Sequence, residues 1–139
     1  MMTSIKPQYR LLAIDDETEV LEMINDHFSL RGFEVHTAGD GTEGIILCEK
    51  IRPHVVLLDL KMKQLDGDKA LVQIRELAPK AKIFVVSGYQ DELAQKRLGG
   101  IPVEAYFEKP VSLLELEKAM RRALSEDPSS LSSSCQLIG

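Results

Sequence analysis

Apolar runs alternate with amphipathic stretches five times along the chain. The runs are LLAI (11–14), FEVHTA (33–38), VVLLD (55–59), KIFVVS (82–87) and EAYFE (104–108). Three of them are rich in β-branched or aromatic residues, the composition that favours strands. Between the runs the apolar period lengthens to that of a helix. Val20, Leu21, Ile24 and Phe28 share a face from about Glu17 to Leu30, and Gly32 follows as a stop. Ile45, Cys48 and Ile51 mark a second helix that ends before Pro53, and Leu71, Ile74 and Leu77 a third closed by Pro79. A weaker fourth spans about Glu92 to Leu98 and runs into Gly99 and Gly100. Leu113, Leu116, Met120 and Leu124 line a fifth, opened by a capping box of Ser112 and Glu115. Asp66-Gly67 reads as a turn.

Strict β–α alternation predicts right-handed crossovers and a parallel sheet with helices on both faces. The unbroken VVLL at 55–58 fits a central strand buried on both sides. The fold expected is therefore α/β: a doubly wound sheet of five parallel strands flanked by five helices. Residues 8–125 form one domain in this reading. After Glu126 the composition changes to DPSSLSSSCQLIG, a Ser-rich stretch with no period that reads as a flexible tail or truncated linker, 126–139.

Composition narrows the function. The 139 residues suit one domain with a sizeable core, and hydrophobic (44%) and charged (28%) fractions are ordinary for a globular protein. No apolar stretch is long enough to span a bilayer, and MMTSIKPQYR lacks the apolar core of a signal peptide, so a cytoplasmic location is the expectation. Net charge is −5 and the 17 basic residues are dispersed, which argues against nucleic-acid binding by this chain. Cys48 and Cys135 suggest no disulfide framework. His27, His36 and His54 have no metal-ligand spacing and read as surface or boundary residues.

In open α/β sheets, ligands bind beyond the carboxyl ends of the strands. Asp15 and Asp16 end the first strand here, Asp59 the third and Ser87 the fourth, and the fifth leads into Lys109. Like charges a few ångströms apart repel by about 4 kcal/mol at an effective dielectric near 20, so such a cluster must protonate, pair with a cation or hold a metal. Lys109 supplies one positive charge. An all-oxygen site with positions open to water and phosphate suits Mg²⁺. This set fits phosphoryl transfer to a carboxylate, with Asp59 as acceptor because it ends the most buried strand. Ser87 can donate a hydrogen bond to a phosphoryl oxygen.

The motifs LLAIDDE, VVLLDLKMKQLDG, FVVSG and AYFEKP, in that order from about residue 9 to residue 124, resemble those of the bacterial two-component response-regulator receiver domain. The resemblance implies a flavodoxin-like strand order 2-1-3-4-5. It implies that Asp59 takes a phosphoryl group from a sensor histidine kinase or phosphotransfer protein. Asp16 and Asp59 would bind Mg²⁺ directly with the backbone carbonyl of Lys61, and Asp15 would act through metal-bound water. Lys109 would pair with the carboxylate or phosphate, and Lys109–Pro110 would be cis. Ser87 and Tyr106 would be the switch pair. Such a domain is not a conventional enzyme: it catalyses its own aspartyl phosphorylation and the slow hydrolysis of the product. Its readout would be a downstream effector domain or protein, or a phosphorylation-dependent homodimer, docking on the face of the fourth helix, fifth strand and fifth helix. Lys63 departs from the family, which very often has Pro there, and Lys61 and Tyr89 occupy positions that tune phosphate lifetime.

Three rival readings carry less weight. Gly39, Gly41 and Gly44 spell G-x-G-x-x-G between a strand and a helix, as in a dinucleotide-binding domain. Yet Asp40 and Glu43 would repel a pyrophosphate, and the motif falls at the second βα turn rather than the first. A phosphatase with an aspartyl-phosphate intermediate would usually carry an acid two residues after the nucleophile, where this chain has Lys61. Asp15 and Asp16 could simply cap the first helix, but that leaves Asp59 and Lys109 unexplained.

Overall fold

The computed structural model describes residues 8–61, 67–87 and 100–125. Five strands, β1 (Tyr9–Ile14), β2 (Phe33–Ala38), β3 (Val55–Leu58), β4 (Lys82–Ser87) and β5 (Ala105–Glu108), form one sheet in the order β2-β1-β3-β4-β5. All four pairings are parallel. The helices among the described residues are α1 (Thr18–Ser29), α2 (Gly41–Ile51), α3 (Gly67–Leu77) and α4 (Leu113–Ser125). The weak helix expected at 92–98 lies outside the described residues, so the predicted fifth helix is α4 here. The Ser-rich tail, Asp66, Lys63 and Tyr89 also lie outside them.

Side chains alternate across the sheet with period two, and this splits the core into two layers. Leu12, Ile14, Val56, Leu58, Ile83 and Val85 face α2 and α3, meeting Cys48, Ala70, Leu71 and Ile74. Leu11, Ala13, Val55, Leu57 and Phe84 face α1 and α4, meeting Ile24, Phe28, Leu116, Met120 and Leu124. A strand covered on both sides has no polar face to show, which explains why β3 reads VVLL. The edge strands differ: β2 exposes Glu34, and β5 is only half-buried.

Two details of α3 depart from the sequence reading. Gly67 is not a turn residue but the first residue of α3. Leu77 is 42% exposed, while Ala70 and Ala78 take buried positions beside Leu71 and Ile74. An alanine gives a periodicity reading little signal. The expected stop after α1 is present: Gly32 has φ +92°, a region glycine enters without a Cβ penalty. Its carbonyl accepts from the Gln8 and Tyr9 amides, tying the end of the α1–β2 loop to the start of β1. Ser112 caps α4 through its Oγ, which accepts from Glu115 N–H at 3.2 Å.

The histidines are boundary residues, each with a partner. His36 faces Glu34, and the His54 Nδ1 accepts from Arg10 N–H at 2.9 Å. His27 Nε2 meets Glu117 Oε1 at 2.9 Å. A carboxylate only accepts, so Nε2 carries a proton. No described helix is long and apolar enough to cross a membrane.

Candidate functional site

The strand ladders continue past the strand ends and fix the backbone of the site. Asp15 N–H donates to the Ala38 carbonyl at 3.1 Å, and Asp59 N–H to the Ile14 carbonyl at 3.0 Å. On the other side Lys109 N–H donates to the Ser87 carbonyl at 2.7 Å. The Lys109–Pro110 peptide is cis, as the resemblance implied. Three segments far apart in sequence are thus held in register by the sheet itself, with side chains free to converge beyond it.

They converge on one ammonium. Asp15 Oδ1 accepts from Glu17 N–H at 2.9 Å, and Asp59 Oδ1 accepts from Lys61 N–H at 3.0 Å. Their remaining oxygens face Lys109 Nζ, Asp15 Oδ2 at 2.8 Å and Asp59 Oδ2 at 3.2 Å. Glu17 Oε1 is closer still, at 2.6 Å. Asp15 and Asp59 are each only 4% exposed. The Glu17 side chain, by contrast, lies at the rim and is 59% exposed.

Burial and charge work against each other here. Burial pushes the Asp59 carboxyl above its usual range and the Asp15 charge adds to this, while the Lys61 amide and Lys109 oppose it. For Lys109, burial disfavours the charged form, but hydrogen bonds to Asp15 and Glu17 and the charges of Asp15 and Asp59 outweigh it, holding the ammonium above its ordinary value. Lys109 is therefore a fixed cation between carboxylates that would otherwise repel one another.

Ser87 is buried, and its Oγ has no hydrogen-bond partner among the described residues. An orphaned buried hydroxyl costs free energy, about 1–3 kcal/mol, so it marks a place where a further acceptor belongs. Tyr106 lies opposite Val85 in the β4–β5 register and packs, half-buried, against the core layer of α2 and α3. Burial raises its phenol pKa. Lys61 is exposed, and Asp16 is half-buried at the turn before α1.

The carboxylate set that comes together is Asp15, Glu17 and Asp59, with one oxygen from each within 4.8 Å of the others. These are hard oxygen donors, the chemistry a small divalent cation requires. The residues present therefore fit Mg²⁺. Glu17 is the member sequence reasoning missed. The signal was available: it is the third acid of the DDE run, at the N-cap of α1, where its backbone rather than its side chain caps the helix.

The glycine motif has a different use. Asp40 is the N-cap of α2, and its Oδ1 accepts from Glu43 N–H at 2.8 Å. Glu43 Oε1 in turn accepts from Gly39 N–H at 2.8 Å. The amides that would cradle a pyrophosphate are thus taken by two carboxylates, and the dinucleotide reading is set aside. A cleft of about 590 Å³ lined by Arg52, Pro53, His54, Leu77 and Pro79 touches none of the site residues. It lies at the opposite end of the strands.

Comparison with known proteins agrees with this geometry. Residues 11–121 match the response regulator receiver domain family. The regulatory protein AtoC of Escherichia coli is 36% identical over 124 residues, covering 88% of this chain and 26% of its own length. The response regulator MprA of a Mycobacterium species is 34% identical over 117 residues, covering 83% of this chain and 50% of its own. The chain thus spans a quarter to a half of these curated relatives. A solved receiver domain from Clostridium thermocellum superposes with a TM-score of 0.76 at 29% identity, over 83% of this chain and 93% of that one. With its sheet order, its site at the strand ends and these matches taken together, the chain belongs to the response regulator receiver domain family.

Proposed function

We propose that Asp59 is the phosphoacceptor of this receiver domain, which spans residues 8–125, with 126–139 as tail or linker. The observation that carries this is the Lys109 ammonium held between the buried carboxylates of Asp15 and Asp59, at 2.8 and 3.2 Å. An Asp59 oxygen attacks the phosphorus of a phosphohistidine. The P–N bond breaks, its electron pair returns to the imidazole nitrogen, and an acyl phosphate forms. Lys109 neutralises charge on the phosphoryl oxygens. The Ser87 hydroxyl, which has no hydrogen-bond partner among the described residues, supports a role as donor to one of them, and Tyr106, half-buried on the neighbouring β5, supports a role as the second member of the switch.

Asp15, Asp16 and Asp59 with the Lys61 carbonyl are the residues that would hold Mg²⁺, and Glu17 lies within reach. When bound, the ion supplies positive charge to the phosphoryl oxygens. The donor is a sensor histidine kinase or phosphotransfer protein. The output is an effector domain or protein, or a second copy of the chain, biased by a two-state change that phosphate favours. The greater length of AtoC and MprA supports a separate output segment in those proteins.

Incubation with acetyl phosphate and Mg²⁺, followed by intact mass spectrometry, tests the assignment. One added phosphate is expected, lost in Asp59→Asn. Undiminished labelling of that variant overturns Asp59 as acceptor.

A further inference from the structure

Lys109 is fully subscribed before any phosphate arrives. An ammonium has three protons to donate, and Lys109 Nζ has three carboxylate partners: Glu17 at 2.6 Å, Asp15 at 2.8 Å and Asp59 at 3.2 Å. To grip a phosphoryl oxygen on Asp59 it must release one of them. Asp15 is buried, with its other oxygen held by the Glu17 amide. Asp59 is the residue being modified. Glu17 alone is exposed to solvent and can be released without leaving a buried charge unpaired.

A second observation sets Glu17 apart. It is the N-cap of α1, yet its side chain makes no capping hydrogen bond. The first backbone turn is closed instead by its carbonyl, which accepts from Val20 and Leu21 N–H. The carboxylate is therefore not engaged in starting the helix, and it makes the shortest of the three contacts to Lys109.

We infer that Glu17 is a positioning residue that tethers the Lys109 ammonium toward the rim in the unphosphorylated state and is exchanged for a phosphoryl oxygen when Asp59 is modified. This rests on Asp59 being the acceptor. The tether sets the ease of phosphorylation: its release is part of every forward step, and its re-formation favours loss of the phosphoryl group. The contact is half-exposed, so its weight is that of a surface ion pair, equivalent to about two- to fivefold in rate.

The test separates tethering from simple repulsion of an anionic donor. Labelling by acetyl phosphate at saturating Mg²⁺ is timed by mass spectrometry for the parent, Glu17→Gln, Lys109→Gln and the double variant. Glu17→Gln is expected to label about two- to fivefold faster than the parent, and the gain is expected to vanish in the Lys109→Gln background. An equal gain in both backgrounds means that rim charge alone acts and overturns the tether, as does no gain in either. A second readout needs no phosphorylation. The side-chain ammonium signal of Lys109 in ¹⁵N-correlated spectra, protected from solvent exchange when held, is expected to broaden in Glu17→Gln and in Glu17→Asp, whose carboxylate is one methylene short. A signal unchanged in both overturns the inference. If the parent itself is not labelled, the acceptor reading fails, while the ammonium spectra still judge the tether.

Discussion

A Cβ placed on Gly44 would lie 2.5 Å from Ile14 Cδ1 and 2.9 Å from Ile14 Cγ1. Ile14 is 1% exposed and belongs to the core layer under α2, so it has little room to yield. Gly44 is thus the point where α2 touches β1 backbone to side chain. Gly44→Ala is expected to lose stability: overpacking costs about 1–3 kcal/mol, against a helix-propensity gain of about 1 kcal/mol. Gly39→Ala meets nothing within 4 Å and keeps its N–H to Glu43, so it should be near neutral. Urea denaturation of the two variants checks the contrast, and equal effects would remove the packing explanation.

Glu117 carries a pH dependence. It is a buried carboxylate on α4, facing His27 and Arg31 of the α1 end and Arg121 of its own helix. Burial alone would raise its pKa, but the hydrogen bonds from His27 and Arg121 and the charges of Arg121 and Arg31 outweigh it, so the value is lowered. A folded-state pKa below the unfolded one means that the stabilisation is fully present above the ordinary glutamate value, about 4.3, and is lost as pH falls through the folded value. Glu117→Gln is therefore expected to cost about 1–2 kcal/mol at neutral pH. The gap between parent and variant should close as pH drops from about 5 toward 3. Denaturation midpoints across that range check this, and a gap that widens on acidification contradicts it.

Arg75 joins the end of α3 to the segment that feeds β5. Its Nη1 donates to the carbonyls of Ala78, Pro79 and Ala81 at 3.3, 3.0 and 2.9 Å, and its Nη2 to the Pro102 carbonyl at 2.8 Å. The rigid fork of a guanidinium is what reaches both segments at once. Arg75→Ala should cost about 2–3 kcal/mol, and Arg75→Lys should recover little of it. The more telling measurement is local. Glu104 N–H donates to the Ile83 carbonyl at 2.7 Å, just after the clamped segment. Its hydrogen exchange should accelerate more than that of β1 amides in either variant.

Most of this architecture was legible because strands and helices have different apolar periods. VVLL announced a central strand, and Ile24, Phe28, Leu116, Met120 and Leu124 lie buried where their spacing put them. The site residues were legible because a parallel sheet sends every strand's C-terminal end to one edge, so Asp15, Asp59, Ser87 and Lys109 had to meet there. Contacts made by flexible side chains at sites that no period marks stayed hidden. Glu17 entered the sequence reading only as the start of the first helix, and Glu117 and Arg75 carried no signal in it. Each has a partner distant in sequence: 92 residues separate Glu17 from Lys109, 90 separate His27 from Glu117, and 27 separate Arg75 from Pro102. Only the folded chain brings them together.

The charge balance at the sheet edge yields the last prediction. Asp15 and Asp59 are like charges, both buried, and Lys109 is the cation that lets them coexist. Lys109→Gln should destabilise by roughly 2–4 kcal/mol, the scale for stripping one partner from a buried pair, reduced by the open rim. Asp59→Asn should stabilise the unphosphorylated protein by about 1 kcal/mol, since an active site commonly holds function at the expense of stability. The two changes should not add. In the double variant Asp15 no longer faces a second buried charge, so most of the Lys109→Gln loss should return, a coupling visible in a double-mutant cycle of denaturation free energies. Mg²⁺ separates the variants further. A cation that binds only the folded state raises the melting temperature by mass action, and the shift should be larger in Lys109→Gln than in the parent because no ammonium competes for the carboxylates. A smaller shift in that variant, or strict additivity of the two substitutions, would mean that Lys109 does not balance this pair.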